Sequence, residues 1–160
     1  MREILFRGKR LDDYANDKSI DYTEKGVGEW VYGDIIHRRY YKNKDVIVIR
    51  TEDSGFDNYS DYEVDPDSIG QFTGLTDKNG KKIFEGDILK FTDTNAEYEW
   101  IGKVEFGNPN AEYNWGFQLV YISGTKPNTD ILLWFDMEET GAYSEVIGNI
   151  HDNPELLENP

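Results

Sequence analysis

Short apolar segments alternate with polar turn sequences along most of the chain. Val46–Ile49 is a run of β-branched residues, which is typical of a strand covered on both faces. Lys103–Phe106 alternates polar and apolar residues, and 131–135 and 146–150 are further apolar runs. In the segment 115–122, alternate residues would share one face of a strand, namely Trp115, Phe117, Leu119 and Tyr121.

Turn-forming residues separate these segments. Asn79-Gly80 is the strongest hairpin signal, because both residue types tolerate a positive φ. Segments 107–110 and 124–128 are predicted loops, and the polar stretches 12–28 and 51–67 are expected to be rich in loops.

One short helix is predicted at the end of the chain. Asn153 would cap it, Pro154 would occupy its first position, and Leu156 and Leu157 would pack on the sheet. Short strands, frequent turns and little helix together predict an all-β barrel or sandwich.

Two short patterns occur twice in the sequence. Residues 30–36 resemble 83–89, and residues 68–71 resemble 146–149, in the same order. The repetition predicts two small β lobes in tandem, which we place at 1–78 and 79–160. In each Gly-Asp pair, we expect the glycine to form a turn and Asp34 or Asp87 to bond backbone N–H groups rather than to catalyse a reaction.

Composition excludes several classes of protein. The 160 residues contain no cysteine, so disulfides, zinc-thiolate sites, iron–sulfur clusters and thiol nucleophiles are ruled out. The 4 Trp, 11 Tyr and 8 Phe indicate a folded chain. No apolar run is long enough for a membrane span or a signal peptide, so we expect a soluble protein of the cytoplasm.

The formal charge of -15 is unevenly distributed. Residues 1–50 carry 11 Lys and Arg and 9 Asp and Glu, whereas residues 51–160 carry 6 and 23. This charge opposes direct binding to nucleic acid. It serves solubility, and it also permits head-to-tail pairing of copies, which makes a homo-oligomer an expectation.

The search for catalytic and metal-binding patterns finds no site. His37 and His151 have no metal-ligand spacing, and 26–28 lacks the rest of a phosphate-binding loop. Glu85 and Asp87 form a close acidic pair. Acids also recur at every second residue from Asp61, but Pro66 and Phe72 break the calcium-loop template. We interpret both groups as solvated acidic faces, with a metal site as the alternative; the alternating acids are Asp61, Glu63, Asp65 and Asp67.

The aromatic residues allow a peptide-binding groove as well as core packing. Tyr40, Tyr41 and the tyrosines at 59 and 62 lie in polar surroundings and are better surface candidates. The residues that would line such a groove are Trp30, Tyr32, Trp100, Trp115 and Trp134.

Four segments of the sequence match the motifs of a known protein family. The segments 6–9, 28–34, 64–88 and 146–157 resemble the YopX family of phage and prophage proteins. The resemblance implies an all-β fold with SH3-like barrel character and a gene carried by phages or prophages of Gram-positive bacteria. It implies no established reaction, cofactor or catalytic residue. We interpret the motif residues as a signature of turns and core; they are Gly33, Asp34, Gly70, Gln71, Gly74, Asn79, Gly80, Gly86, Asp87, Gly148, Asn149 and Pro154.

Three functions are open at this point. The first is a non-enzymatic phage accessory protein that binds a protein partner, which can be a second copy of itself. The second is an acidic mimic of nucleic acid that occupies a DNA-binding protein. The third is a metal-dependent hydrolase built on the clustered carboxylates.

Overall fold

The computed structural model describes residues 3–11, 28–40, 44–52, 58–93, 98–133 and 137–158. Within these ranges the chain is mostly antiparallel β structure, which confirms the all-β prediction. The strands are β1 (Phe6–Lys9), β2 (Trp30–Tyr40), β3 (Lys44–Glu52), β4 (Tyr59–Glu63), β5 (Gly70–Thr76), β6 (Lys82–Phe84), β7 (Asp87–Thr92), β8 (Glu99–Gly107), β9 (Gly116–Gly124) and β10 (Ser144–Asn149). The helices are α1 (Thr129–Leu133), α2 (Met137–Tyr143) and two 3₁₀ helices, Pro66–Ser68 and Pro154–Leu157.

The chain divides into two compact units, Met1–Gln71 and Phe72–Pro160. Within the described ranges neither sheet closes on itself, so the SH3-like barrel character is not confirmed. No helix in the described part of the chain is both long and apolar enough to cross a membrane.

The first unit is an antiparallel sheet in the order β4-β3-β2-β1, and Gly70 and Gln71 at the start of β5 pair with β1. Val31, Ile49 and Val64 form its buried core. Val48, beside Ile49 in β3, points to the opposite face and is also buried. This confirms the prediction that the strand at 46–49 is covered on both faces.

The second unit contains the β5–β6 pair and a sheet in the order β10-β7-β8-β9. The Phe91 and Trp100 rings stack in its core with centroids 4.3 Å apart. Stacked aromatic pairs contribute packing beyond the area that they bury. The buried cluster consists of Ile83, Leu89, Phe91, Trp100, Val104, Leu119 and Leu132.

Asp77 organises the turn between β5 and β6. Its Oδ1 accepts hydrogen bonds from the N–H groups of Asn79 and Lys81, both at 2.9 Å. Its Oδ2 accepts from Val146 N–H at 2.9 Å, which fixes the turn to β10. Gly80 has a φ of 78°, whereas Asn79 has a negative φ. The predicted hairpin at Asn79-Gly80 is confirmed between β5 and β6, and Gly80 alone of the two residues uses the positive φ that both tolerate.

The two Gly-Asp pairs have different structures. Gly86 has a φ of 89°, and Asp87 Oδ2 accepts a hydrogen bond from Phe84 N–H at 2.8 Å, so this pair closes the β6–β7 turn. Gly33 and Asp34 instead lie inside the long strand β2. The predicted turn at Gly33-Asp34 is therefore wrong. Gly33 serves a close approach, since a Cβ there would collide with the carbonyl oxygen of Arg50.

The other repeated pattern also has two structures. Ser68 ends a 3₁₀ helix and Gly70 begins β5, whereas Val146–Asn149 lies within β10 at an irregular pairing with β7. Gly74 lies in the irregular register between β5 and β6. The sequence repeats therefore do not correspond to repeated local structures.

The chain turn after β10 depends on Asn149. Its Oδ1 accepts hydrogen bonds from the N–H groups of His151 and Asp152. Gly148 is required beside it, because a Cβ at that position would collide with the Asn153 side chain. The predicted terminal helix is present as a 3₁₀ helix that begins at Pro154.

Two details of the predicted terminal helix are wrong. The Asn153 side chain makes no capping bond to it, and its carboxamide oxygen instead accepts from Asn149 N–H. Leu157 is exposed rather than packed on the sheet.

Two predicted segments differ from the structure. Residues 129–133 form α1 instead of a strand, with Leu132 buried; Trp134 and Phe135 lie outside the described residues. A short apolar run has the same composition in a strand and in a one-sided helix. The stretch 51–67 contains β4 and a 3₁₀ helix, because β4 pairs its backbone with β3 despite polar side chains. The predicted loop 12–28 lies almost entirely outside the described residues.

Replacing Asp77 by Ala removes the acceptor of three backbone N–H groups at a buried position. We expect the free energy of unfolding of the second unit to fall by about 2–4 kcal/mol. The Val146 amide should also lose its protection from hydrogen exchange. Denaturant unfolding and amide exchange measure both effects. Asp130→Ala, at an exposed acid in the same unit, is the control. Unchanged exchange at Val146 in Asp77→Ala would contradict the assignment.

Candidate interaction site

Three large aromatic side chains are exposed at the end of the β8–β9 hairpin. Phe106 is 58% exposed, Tyr113 101% and Trp115 78%; these three residues are called the hairpin aromatic patch. Phe106 also contacts Phe117 edge-to-face, with ring centroids 5.1 Å apart. Isolated exposed hydrophobic residues are common, whereas groups of them are typical of binding surfaces, so these three residues are the candidate interaction site.

The backbone of the hairpin explains how the patch forms. Gly107 and Gly116 are the last residue pair of β8 and β9. The Trp115 ring carbon Cζ3 lies 3.8 Å from the position that a Cβ would take on Gly107, so the indole packs beside this glycine. Val104 is the last buried apolar side chain of β8, and Phe106 follows it on the same face. The core therefore cannot cover Phe106, although the alternation predicts it on the same face as Val104.

Side-chain amides fix the loop between the two strands. Gln118 is 1% exposed, and its Nε2 donates to the carbonyl oxygen of Asn114 at 2.7 Å. Asn110 Nδ2 donates to Leu119 O at 3.0 Å and to Gln118 Oε1 at 3.3 Å. Asn108 exchanges hydrogen bonds with the backbone of Glu112. These bonds hold the loop in one conformation, so the aromatic rings are exposed on an ordered support.

The charge of the hairpin is acidic. Between Lys103 and Lys126 the sequence contains Glu105 and Glu112 and no Lys or Arg. Glu105 is paired with Lys103 at 2.5 Å, while Glu112 is exposed. A partner with basic and apolar side chains would match this surface in both charge and character.

A second polar arrangement lies on the sheet of the first unit. Asp61 on β4 accepts two hydrogen bonds from Arg50 on β3, at 2.7 and 3.0 Å, and also pairs with Arg38 on β2. The Tyr59 ring lies 4.2 Å from the Arg50 guanidinium carbon. Hydrogen bonding to Arg50 is the largest cause that lowers the pKa of Asp61, and the same bond raises the pKa of Arg50.

The alternating acids do not form one acidic face. Asp61 is engaged by two arginines, so the interpretation of a solvated face is wrong for this residue. Asp65 accepts a hydrogen bond from Asp67 N–H and caps the 3₁₀ helix at Pro66. The strand β4 ends at Glu63, and Asp67 lies in the 3₁₀ helix rather than in an extended segment. Of the predicted acidic pair at 85 and 87, Asp87 is buried and bonds backbone.

The remaining candidate residues are not brought together. His37 is exposed within β2, and His151 lies in the turn after β10. In the described part of the chain, no group of three or more His, Cys, Asp and Glu side chains could hold a metal ion.

The aromatic residues proposed for one groove have different environments. Trp100 is 2% exposed in the core of the second unit, and Trp115 is exposed at the opposite end of the β8–β9 hairpin. The Trp30 ring stacks with the Arg7 guanidinium at 4.4 Å. The groove prediction is therefore wrong for Trp100, while Trp134 lies outside the described residues.

Sequence reasoning missed Phe106 and Tyr113 as surface residues, together with the role of Arg38 and Arg50. Tyr113 could have been found from its position in a polar loop bounded by glycines at 107 and 116. Among the proposed surface tyrosines, Tyr59 is 56% exposed, whereas Tyr62 packs against the core. Tyr41 lies outside the described residues, as does the side chain of Tyr40.

A family model described as YopX protein matches residues 23–158. The chain belongs to the YopX family. This confirms the resemblance that the sequence motifs indicate. No curated protein matches the chain in sequence. A crystal structure of protein EF1440 from Enterococcus faecalis is similar to this YopX-family chain, with 24% sequence identity and a TM-score of 0.46. The similarity covers 99% of this chain and 100% of that chain.

The buried Gln118 side chain of this YopX-family chain provides a test of the loop support. Gln118→Leu keeps a side chain of similar size but removes the bond to Asn114 O. We expect the free energy of unfolding of the second unit to fall by about 1–3 kcal/mol. The amides of Tyr113 and Trp115 should show lower NMR order parameters. Asn114→Ala is the control, because it retains the carbonyl oxygen that Gln118 uses. Equal order parameters in Gln118→Leu and wild type would show that the amides do not hold the loop.

The ion pair of Asp61 predicts a dependence of stability on pH. Because the pKa of Asp61 is lowered from 3.8 in the folded protein, its stabilisation is complete above pH about 4. It decreases as the pH falls through the lower, folded-state pKa. The difference in unfolding free energy between wild type and Asp61→Asn should therefore be about 1–2 kcal/mol at neutral pH and shrink towards zero in acid.

Urea denaturation of the first unit at several pH values measures this difference. Asp45→Asn breaks the exposed Arg39–Asp45 pair and serves as the control with little effect at any pH. A wild-type advantage that persists unchanged below the folded-state pKa would contradict the role of Asp61.

Proposed function

We propose that this YopX-family chain is a non-enzymatic accessory protein of phages or prophages that binds a protein partner through the hairpin aromatic patch. The exposure of Phe106, Tyr113 and Trp115 is the observation that supports the proposal. Trp and Tyr are enriched among the residues that contribute most to protein–protein binding, because they bury a large area at small cost in side-chain entropy.

The hydrogen bonds that hold the patch in place favour a binding function over a catalytic one. Gln118 and Asn110 hold the loop before any partner arrives, so little conformational entropy is lost on association. The acids with the strongest hydrogen bonding, Asp61, Asp77 and Asp87, bond arginine or backbone groups of the same unit. Their carboxylates are engaged in holding the fold.

The charge of the chain favours a basic partner of different sequence. Two copies meeting through the patch would each contribute Glu112, which is exposed beside it, in a chain of net charge -15. Like charges across an interface oppose association. Formation of a homo-oligomer through other surfaces remains an expectation, which light scattering of the purified chain would test.

Substitution of Trp115 tests the proposal. The chain is used for affinity purification from cells that carry the phage or prophage, and the affinity of the recovered partner is then measured with purified proteins. Trp115→Ala should weaken the complex by at least about 30-fold, because truncation of an aromatic anchor costs about 2 kcal/mol or more.

Ile4→Ala is the matched control, since Ile4 is 67% exposed and belongs to the first unit. It should bind the partner as wild type does. Equal affinity of Trp115→Ala and wild type would contradict binding through the patch. The absence of any retained partner, together with a mass equal to one chain, would contradict the function itself.

A further inference from the structure

An open depression lies on the sheet of the first unit, away from the residues of its core. Its volume is about 490 Å³. Tyr32 and Asp34 belong to β2, Arg50 and Glu52 to β3, and Tyr59 to β4. It is lined by Leu5, Tyr32, Gly33, Asp34, Arg50, Glu52 and Tyr59, and it is called the tyrosine depression.

The charge of the tyrosine depression is set by two carboxylates. Arg50 shares Asp61 with Arg38, so among the lining residues Asp34 and Glu52 outnumber one partly compensated arginine. Asp34 and Glu52 are exposed, and Asp34 also interacts electrostatically with Arg50. An anion would be repelled by these two groups, whereas a cation would be attracted to them.

The aromatic walls add a second preference. Tyr32 is 41% exposed and Tyr59 is 56% exposed. Tyr59 stacks with Arg50 at 4.2 Å, and Arg10 stacks with Tyr62 at 4.6 Å in the same unit. A planar guanidinium can stack on a tyrosine and form two parallel hydrogen bonds to a carboxylate at once, whereas an ammonium group cannot.

We propose that the tyrosine depression binds an arginine side chain of a protein partner, with Asp34 and Glu52 as the carboxylates and Tyr32 and Tyr59 as the aromatic walls. This gives the first Gly-Asp pair a function that the second does not have. Asp34 faces solvent beside a cavity, whereas Asp87 is 1% exposed and bonds a backbone N–H group. The site belongs to the first unit and uses none of the hairpin residues.

The experiment titrates the ¹⁵N-labelled full chain with N-acetyl-arginine-N-methylamide at constant ionic strength and records amide chemical shifts. Saturable shifts are expected at Tyr32, Asp34, Glu52 and Tyr59. N-acetyl-citrulline-N-methylamide has the same shape without the charge and should cause no saturable shift. The lysine analogue should bind at least several-fold more weakly, because it lacks the planar fork.

The double substitution Asp34→Asn with Glu52→Gln should weaken arginine binding by about tenfold or more, since it removes charged hydrogen-bond acceptors. Asp130→Asn, at an exposed acid of the second unit, should leave the affinity unchanged. No saturable shifts, equal binding of citrulline or lysine analogues, or full affinity in the double variant would each overturn the proposal. The comparison of arginine with citrulline is made on the native chain, so it stands even if the double variant folds poorly. None of these measurements involves Trp115, so the outcome is independent of binding through the hairpin aromatic patch.

Discussion

In the second unit, buried polar side chains form hydrogen bonds with backbone groups of a turn and a loop, and this requirement determines how the unit is built. Gln118 and Asp77 are the main examples, with exposures of 1% and 4%. Each side chain forms hydrogen bonds with backbone groups of a turn or loop that strand pairing would leave without a partner. Asp77 joins the β5–β6 turn to β10, and Gln118 joins the strand β9 to the loop that precedes it. The ordered position of the exposed aromatic rings at the hairpin depends on the hydrogen bond of Gln118.

The same physical chemistry explains why one motif has two outcomes. A Gly-Asp pair followed by apolar residues closes a turn when the glycine has a positive φ, as Gly86 does with Asp87. Inside a continuous strand the glycine instead permits a close backbone approach, and the aspartate points away from the core, as at Gly33 and Asp34. The same Gly-Asp pair therefore suits both a turn and a continuous strand. Pairing with the neighbouring strand determines which of the two conformations forms.

Much of the fold could be predicted from local pattern. The β-branched run at 46–49 and the alternation at 103–106 lie in strands, as do residues 146–149 of the predicted segment 146–150, because burial on one or two faces leaves a clear signature. The strand β4 could not be predicted, since its stability comes from pairing with β3 and from the arginines that bind Asp61. The helix α1 was not predicted because its 5 residues are too few for one-sided burial, here of Leu132, to produce a helical period in the sequence.

The candidate site was harder to predict than the fold. Trp115 was recognised as an aromatic of interest, but the same pattern placed it with Trp100, which is in the core. Exposure depends on where the core ends along the hairpin, and this is a property of the assembled sheet. The hydrogen bonds by which side-chain amides hold the loop connect residues four to nine positions apart. They depend on the folded geometry of the loop, which composition does not reveal.

The central claim is that the hairpin aromatic patch is covered when the chain performs its function. Hydrogen–deuterium exchange of the chain, alone and in complex with its recovered partner, measures this coverage directly. The account predicts that the largest gain in protection falls within residues 106–117. Protection gained in other parts of the chain, with exchange at 106–117 unchanged by the partner, would contradict it.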